Sequence, residues 1–235
     1  MNTEPPTWLF QEAVQVGVDY TDAALVADYD KQHEGFRNFE QEAKSIVEDL
    51  ALSKDSIVLD IGCGTGGLTM HLAQMCQQVY AVDSSAAMIA ALTRKIQTQG
   101  FTNVTPVHAG FLTYQHQGRA LDAVVANITL HHVPDFWKQI ALCRLSDLLK
   151  AGGRLFLADV VFGFDPRTYE ATIDRWVADM QDLAGPRMAD EIVTHVREEF
   201  STWDWIMRGL LERAGFRVDR SFELMQHMRA YICSK

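Results

Sequence analysis

Chemistry concentrates in the run Val58-Leu59-Asp60-Ile61-Gly62-Cys63-Gly64-Thr65-Gly66-Gly67, where four of the last six residues are glycine. A β-branched apolar run leads into it, and a helical pattern follows. Glycines in such a turn let a ligand approach the backbone closely, and an ordinary strand-to-helix turn needs fewer of them. Gly62, Gly64 and Gly67 satisfy G-x-G-x-x-G, which admits a dinucleotide. Asp60 argues against a pyrophosphate: a carboxylate just before the first glycine repels phosphate and suits a cation, such as an α-amino group or a sulfonium. Asp83 ends the next apolar run, Val79-Tyr80-Ala81-Val82. That is about the 20-residue distance at which an acidic side chain takes both ribose hydroxyls of a nucleoside. Its alternative is a cap for the helix starting near Ser84. Met88, one turn into that helix, can lie on an adenine face or pack in the core.

A second group follows in Asn127-Ile128-Thr129-Leu130-His131-His132-Val133. His131 suits a general base near neutral pH, or a local packing role; His132 reads as structural. Asp159 can orient an acceptor or serve as a cap. Trp176, Trp203 and Trp205 are candidates to line an acceptor pocket, although core and interface packing is the commoner use of tryptophan. The cysteines at 63, 76, 143 and 233 form no C-x-x-C pair, and no Cys/His cluster has zinc spacing, so no metal is expected.

These residues must be positioned by strands alternating with helices. Ser56–Ile61, Gln78–Val82, Leu121–Ala126 and Arg154–Ala158 are short apolar runs suited to a buried parallel sheet. Asn103–His108 is weaker, and Pro106 sends it to a sheet edge. Between them Leu68, Leu72 and Met75, then Met88, Leu92 and Ile96, recur at helical spacing, and Gly100 stops the second helix. Phe136, Ile140 and Leu145 lead to Leu148–Leu149, with Gly152–Gly153 as the stop. Phe216–Phe222 and His227–Cys233 read as a hairpin. Alternation of this kind predicts βαβ units with right-handed crossovers. Residues 1–50 are helical in pattern and aromatic. Within 163–203, Asp165 caps a helix with Pro166 at its first position, and Ile173, Trp176, Val177, Met180 and Leu183 form one stripe. Both segments can pack on the sheet, cap the carboxyl ends of its strands, or do both.

The chain has 235 residues, which fits one domain with an elaborated cap. A net charge of -10 opposes a nucleic-acid partner. The N-terminal residues show no signal-peptide pattern, and no apolar run reaches the ~18 residues of a membrane span. Reduced thiols and a cytoplasmic location are expected. The division expected is 1–50 helical cap, 51–162 cofactor-binding core, 163–203 helical cap insertion, and 204–235 last helix with hairpin.

Asp60 through Asp83, followed by Asn127 to Val133, resembles the class I S-adenosylmethionine-dependent methyltransferases. The small-molecule branch that includes the ubiquinone/menaquinone-biosynthesis type is the nearest. The resemblance covers about 55–160 firmly. It implies an α/β, Rossmann-like, doubly wound seven-stranded sheet of order 3-2-1-4-5-7-6, the last strand antiparallel, with a helical cap. Asp60 and Gly62 would then meet the methionine end of S-adenosylmethionine. Gly64 would line its path, Asp83 would hold the ribose, and Asn127 would offer backbone to the amino group. Cys63, Ser84, Met88, Gly110 and Phe111 complete the cofactor set. Tyr29, beside Asp30, would close over the methionine carboxylate. The family's usual Gly-Asp after the third strand is replaced by Ala109-Gly110-Phe111, so adenine recognition would rest on backbone groups near Phe111 and Leu112. The implied reaction is direct displacement onto a small organic acceptor, in a monomer or homodimer. A non-catalytic cofactor binder and an NAD-dependent oxidoreductase are the alternatives; the second needs Asp60 turned away from the ligand and a Tyr-x-x-x-Lys or similar hydride-site pair.

Overall fold

The structure is a computed structural model and describes residues 6–14, 16–17, 26 and 37–235. Tyr29 and Asp30, and much of the expected 1–50 cap, lie outside the described residues. The strands are β1 (Ile57–Ile61), β2 (Gln78–Asp83), β3 (Val104–His108), β4 (Leu121–Asn127), β5 (Leu149–Phe162), β6 (Thr202–Trp203), β7 (Arg217–Met225) and β8 (Met228–Ser234). The helices are α1 (Phe39–Asp49), α2 (Gly67–Ala73), α3 (Ala86–Gln99), α4 (Asp135–Leu148), α5 (Tyr169–Ala184), α6 (Pro186–Glu198) and α7 (Asp204–Arg213).

The sheet runs β3-β2-β1-β4-β5-β8-β7, with β6 pairing β5 off this path. That is the predicted 3-2-1-4-5-7-6 path, with eight strands in place of seven. Thr202–Trp203 is too short to show the four-residue alternation by which a strand is read from sequence. β8 is antiparallel to both β5 and β7, while β1 to β5 are parallel. β3 lies at the edge, so the missing N–H of Pro106 costs no ladder bond to an outer neighbour.

Period-2 alternation explains the two cores. Ile57, Leu59 and Ile61 of β1 face one cluster, closed by Leu142 and Leu145 of α4 and Met207 and Leu211 of α7. Val58 faces the other, closed by Ala43 and Ile46 of α1, Leu68 and Leu72 of α2, and Leu92 of α3. Both faces are therefore covered, which accounts for the largely apolar runs of β1 and β4.

Three boundaries differ from expectation. α4 stops at Leu148, with Leu149 already extended, so Gly152–Gly153 lies within β5. β5 continues to Phe162 because β8 pairs it as far as Val160, and β6 takes Val161 and Phe162. Asp159 is consequently inside the strand, not at its end. The hairpin turn is tighter than four residues, since Met225 pairs with Met228.

Candidate active site

The strand ends of β1, β2 and β4 open into one cavity of about 850 Å³. Single small-ligand sites span roughly 300–1,000 Å³, and this volume lies toward the upper end of that range. Gly62 turns the chain out of β1 at φ 73°, and a Cβ there would lie 2.0 Å from Thr129 Oγ1. Only glycine fits that turn. Gly64, at φ 54°, has no atom within 4 Å of the Cβ it lacks, so its missing side chain leaves cavity open beside the backbone. Gly64 N–H donates to Asp83 Oδ2 at 2.8 Å, and Ser85 N–H donates to Asp83 Oδ1 at 2.8 Å. Burial nevertheless raises the Asp83 pKa above the usual carboxylate value, against the pull of the two N–H groups. Each oxygen keeps acceptor capacity toward the cavity.

Asp60 does not line the cavity. It is 2% exposed and accepts from Thr69 Oγ1 at 2.6 Å, tying β1 to α2. Burial raises its pKa to about 6; the Thr69 bond opposes the shift and the Asp83 charge adds to it. Cys63 is also buried away from the cavity lining, its Sγ toward the Gly64 carbonyl at 3.7 Å, and burial pushes its thiol pKa well up.

Gly62, Gly64, Asp83, Ser84, Met88, Gly110, Phe111, Asn127 and His131 all line the cavity. Several lining groups are not legible in the sequence. Glu12 lies over Gly110, with Oε2 accepting from Leu112 N–H at 2.9 Å. Its Oε1 is buried with no hydrogen-bond partner, and burial raises its pKa. A carboxylate thus lies beside the loop in which the sequence shows none. It comes from 100 residues upstream of Leu112, beyond any spacing rule. Arg37 and Glu42 form an ion pair at 2.5 Å, and Asn127 Nδ2 donates to Glu42 at 3.4 Å. A basic and an acidic group side by side match a zwitterion. Ile128, also on the lining, sits at φ 57°, a rare conformation for a β-branched residue and of the kind that clusters at functional sites.

The far half of the cavity carries a histidine cluster. His131 Nδ1 pairs with Asp159 Oδ1 at 2.5 Å, and His131 N–H donates to Asp159 Oδ2 at 3.0 Å. His131 Nε2 is 3.4 Å from Glu199 Oε2. His195, one turn before Glu199 on α6, pairs with the same carboxylate and reaches Ser201 Oγ at 2.6 Å. Burial would lower the His131 pKa, but the Asp159 charge and bond and the Glu199 charge outweigh it, and the net shift is upward. The upward shift favours the imidazolium, the form that cannot act directly as a general base. His132 is pushed the other way, to about 3, by burial and by its charged neighbour His131.

Of the three tryptophans, Trp176 lines the cavity and meets His195 edge-on at 6.1 Å. Trp203 packs on Phe162 and Phe164 outside the lining, and Trp205 is 72% exposed. No metal cluster was expected. The fold nevertheless gathers His131, His132 and Glu199, whose ligand atoms lie within 4.8 Å of one another.

The methyltransferase-domain family matches residues 58–153. An uncharacterised methyltransferase of Bacillus cytotoxicus is 29% identical over 194 residues, 83% of this chain and 82% of its own. Together these matches support a class I S-adenosylmethionine-dependent methyltransferase. The matches favour the methyltransferase reading over the oxidoreductase. The methyltransferase fold is shared with a SAM-dependent methyltransferase from Aquifex aeolicus, at TM-score 0.63 and 18% identity over 91% of this chain and 98% of that one. It is shared too with the magnesium protoporphyrin IX methyltransferase of Synechocystis, solved with bound SAM, at TM-score 0.58 and 20% identity over 93% and 85%. No helix among the described residues is long and apolar enough to cross a membrane.

Two outcomes follow from the geometry of the loop. Gly62→Ala meets both strain and a clash, so its melting temperature should fall by about 5–10 °C, corresponding to roughly 2–4 kcal/mol. Gly64→Ala meets strain only and should cost about 1 kcal/mol, read in the same melts. Asp60 has a folded pKa above its unfolded value, so its contribution to stability is full below about pH 4 and lost as pH rises through about 6. Asp60→Asn should therefore gain on wild type as pH rises from 4 to 7, by on the order of 3 kcal/mol. Parallel melting curves across that range would contradict the buried-carboxylate account.

Proposed function

We propose that this methyltransferase transfers a methyl group to a small organic acceptor enclosed beneath α5 and α6. The observation that carries the reading is the continuity of the cavity, from the Asp83 carboxylate through Gly62 and Asn127 to the histidine cluster. S-adenosylmethionine supplies the methyl group already activated by its sulfonium charge. The residues present fit it: a glycine loop open at Gly64, an acidic residue at the end of β2, and an orphaned carboxylate oxygen beside the β3 loop.

In this reading Asp83 holds the ribose hydroxyls, with Gly64 and Ser84 bordering them. Met88, Gly110 and Phe111 border the adenine. Glu12 Oε1 accepts from the exocyclic amine, the task given in relatives of this type to an acid after the third strand. Arg37 takes the methionine carboxylate, and Glu42 with Asn127 takes the amino group. Asp60 acts through charge and through the Thr69 bond, not by contact.

Met180, Met188, Ile192, Leu224 and Met225 line the other half of the cavity. Methionines fill irregular space and adapt to shape, so an acceptor with an apolar body fits there. Its polar head would face His131. As an imidazolium, His131 orients that head and lowers the pKa of a hydroxyl or amine beside it. The enclosed shape and a net charge of -10 favour a small acceptor over nucleic acid. Four free cysteines fit a reducing compartment such as the cytoplasm.

Calorimetric titration with S-adenosylhomocysteine tests the cofactor half. Asp83→Ala should lose most affinity while the chain still melts cooperatively. Glu12→Gln should lose about tenfold, as expected for a hydrogen bond to a charged group. Unchanged affinity in both variants would overturn these roles. His131→Ala should lower turnover far more than S-adenosylhomocysteine affinity; wild-type turnover would reduce His131 to packing.

A further inference from the structure

We propose that His131, His132 and Glu199 bind one divalent transition-metal ion of the zinc type in the acceptor half of the cavity. They offer two imidazole nitrogens and one carboxylate oxygen, all within 4.8 Å of one another. Two imidazoles and a carboxylate are a catalytic zinc donor set, which leaves a further position for a ligand. Magnesium and calcium prefer oxygen ligands throughout, so this set disfavours both.

Three independent features of the surroundings support the assignment. First, the 3.4 Å between His131 Nε2 and Glu199 Oε2 matches a ligand-to-ligand edge. A tetrahedron with arms of ~2.0–2.1 Å has edges of about 3.3–3.4 Å. Second, a ligating histidine normally donates its other nitrogen to a carboxylate, which fixes the ring. His131 Nδ1 meets Asp159 at 2.5 Å, and Asp159 is itself anchored by the Val160 N–H at 2.8 Å. Glu199 has the same kind of support from His195, which is fixed in turn by Ser201. Third, Asp159 and Glu199 place two buried carboxylates around the cluster, and a dication with neutral imidazoles balances them. All three ligands line the cavity, so an entry path exists and the open position faces the acceptor space.

The ion site goes beyond the methyl-transfer reading and needs no cofactor. Where both hold, the acceptor is a molecule with a lone-pair heteroatom, such as a hydroxyl, thiol or carboxylate, at the end of an apolar body. The ion, in place of the His131 proton, would then fix that heteroatom.

The test uses the full chain, stripped with a chelator and titrated with Zn²⁺ by calorimetry and with Co²⁺ by visible absorption. One equivalent should bind with micromolar or tighter affinity, Co²⁺ should give d–d bands of a low-coordinate nitrogen and oxygen site, and excess Mg²⁺ should not compete. His132→Ala and Glu199→Gln should each weaken Zn²⁺ by at least tenfold while the S-adenosylhomocysteine melting shift persists. Asp159→Asn, which leaves every ligand in place, should weaken it by about 10–100-fold. His132 is only half-buried, so its variant is informative even where a change at Asp159 unfolds the chain. No Zn²⁺ binding by wild type, or binding unchanged in both ligand variants, would overturn the proposal. Retained S-adenosylhomocysteine binding in that event would leave the methyltransferase reading standing.

Discussion

The two hydrogen bonds accepted by Asp83 are the constraint on which the site depends. Gly64 N–H and Ser85 N–H reach the two oxygens of one carboxylate, so the glycine loop and the start of α3 are fixed to the same point. β1 and β2 are neighbours in the sheet, and both end at this point. A buried carboxylate is costly unless hydrogen bonds satisfy it, and here the backbone does so on one side while the other side stays available to a ligand. The shape of the loop and the proposed hold on the ribose hydroxyls then have one physical cause.

The acceptor half is organised differently. Its polar groups come from the loop after β4, from β5 and from α6, and a chain of carboxylate–imidazole contacts joins them: Asp159 to His131, His131 to Glu199, and Glu199 to His195. Phe200 N–H donates to the His131 carbonyl at 2.8 Å, and Lys138 bonds the Phe200 carbonyl, so the end of α6 is sewn to the turn that carries the histidines. The helical segment thus brings polar groups to the cavity as well as cover. Isolated burial of either carboxylate would be unfavourable, and the imidazoles that meet both of them offset that cost.

Local features were legible in the sequence, and long-range ones were not. Gly62, Gly64 and Asp83 lie within one strand–helix–strand unit, where spacing carries spatial meaning, and the apolar runs of β1 to β5 report burial on both faces. Pro106 placed β3 at the edge because a missing N–H is a property of the residue itself. Glu12, Arg37 and Glu199 reach the cavity from segments that no period links to it. Asp60 shows the opposite error: its position in the chain suggested contact, but strand alternation and the Thr69 hydroxyl turn it toward α2. β6 escaped notice because two residues cannot show alternation, and the reach of β5 was set by its partners, not by its own composition.

The central claim is that one cavity holds cofactor and acceptor together, with Asp83 at one end and His131 at the other. A crystal structure with S-adenosylhomocysteine tests it most directly. The account predicts ribose hydroxyls on Asp83, the purine amine at Glu12, and the sulfur facing the open half beneath α5 and α6. A ribose bound elsewhere, or an acceptor half filled by the chain's own side chains in that complex, would contradict it.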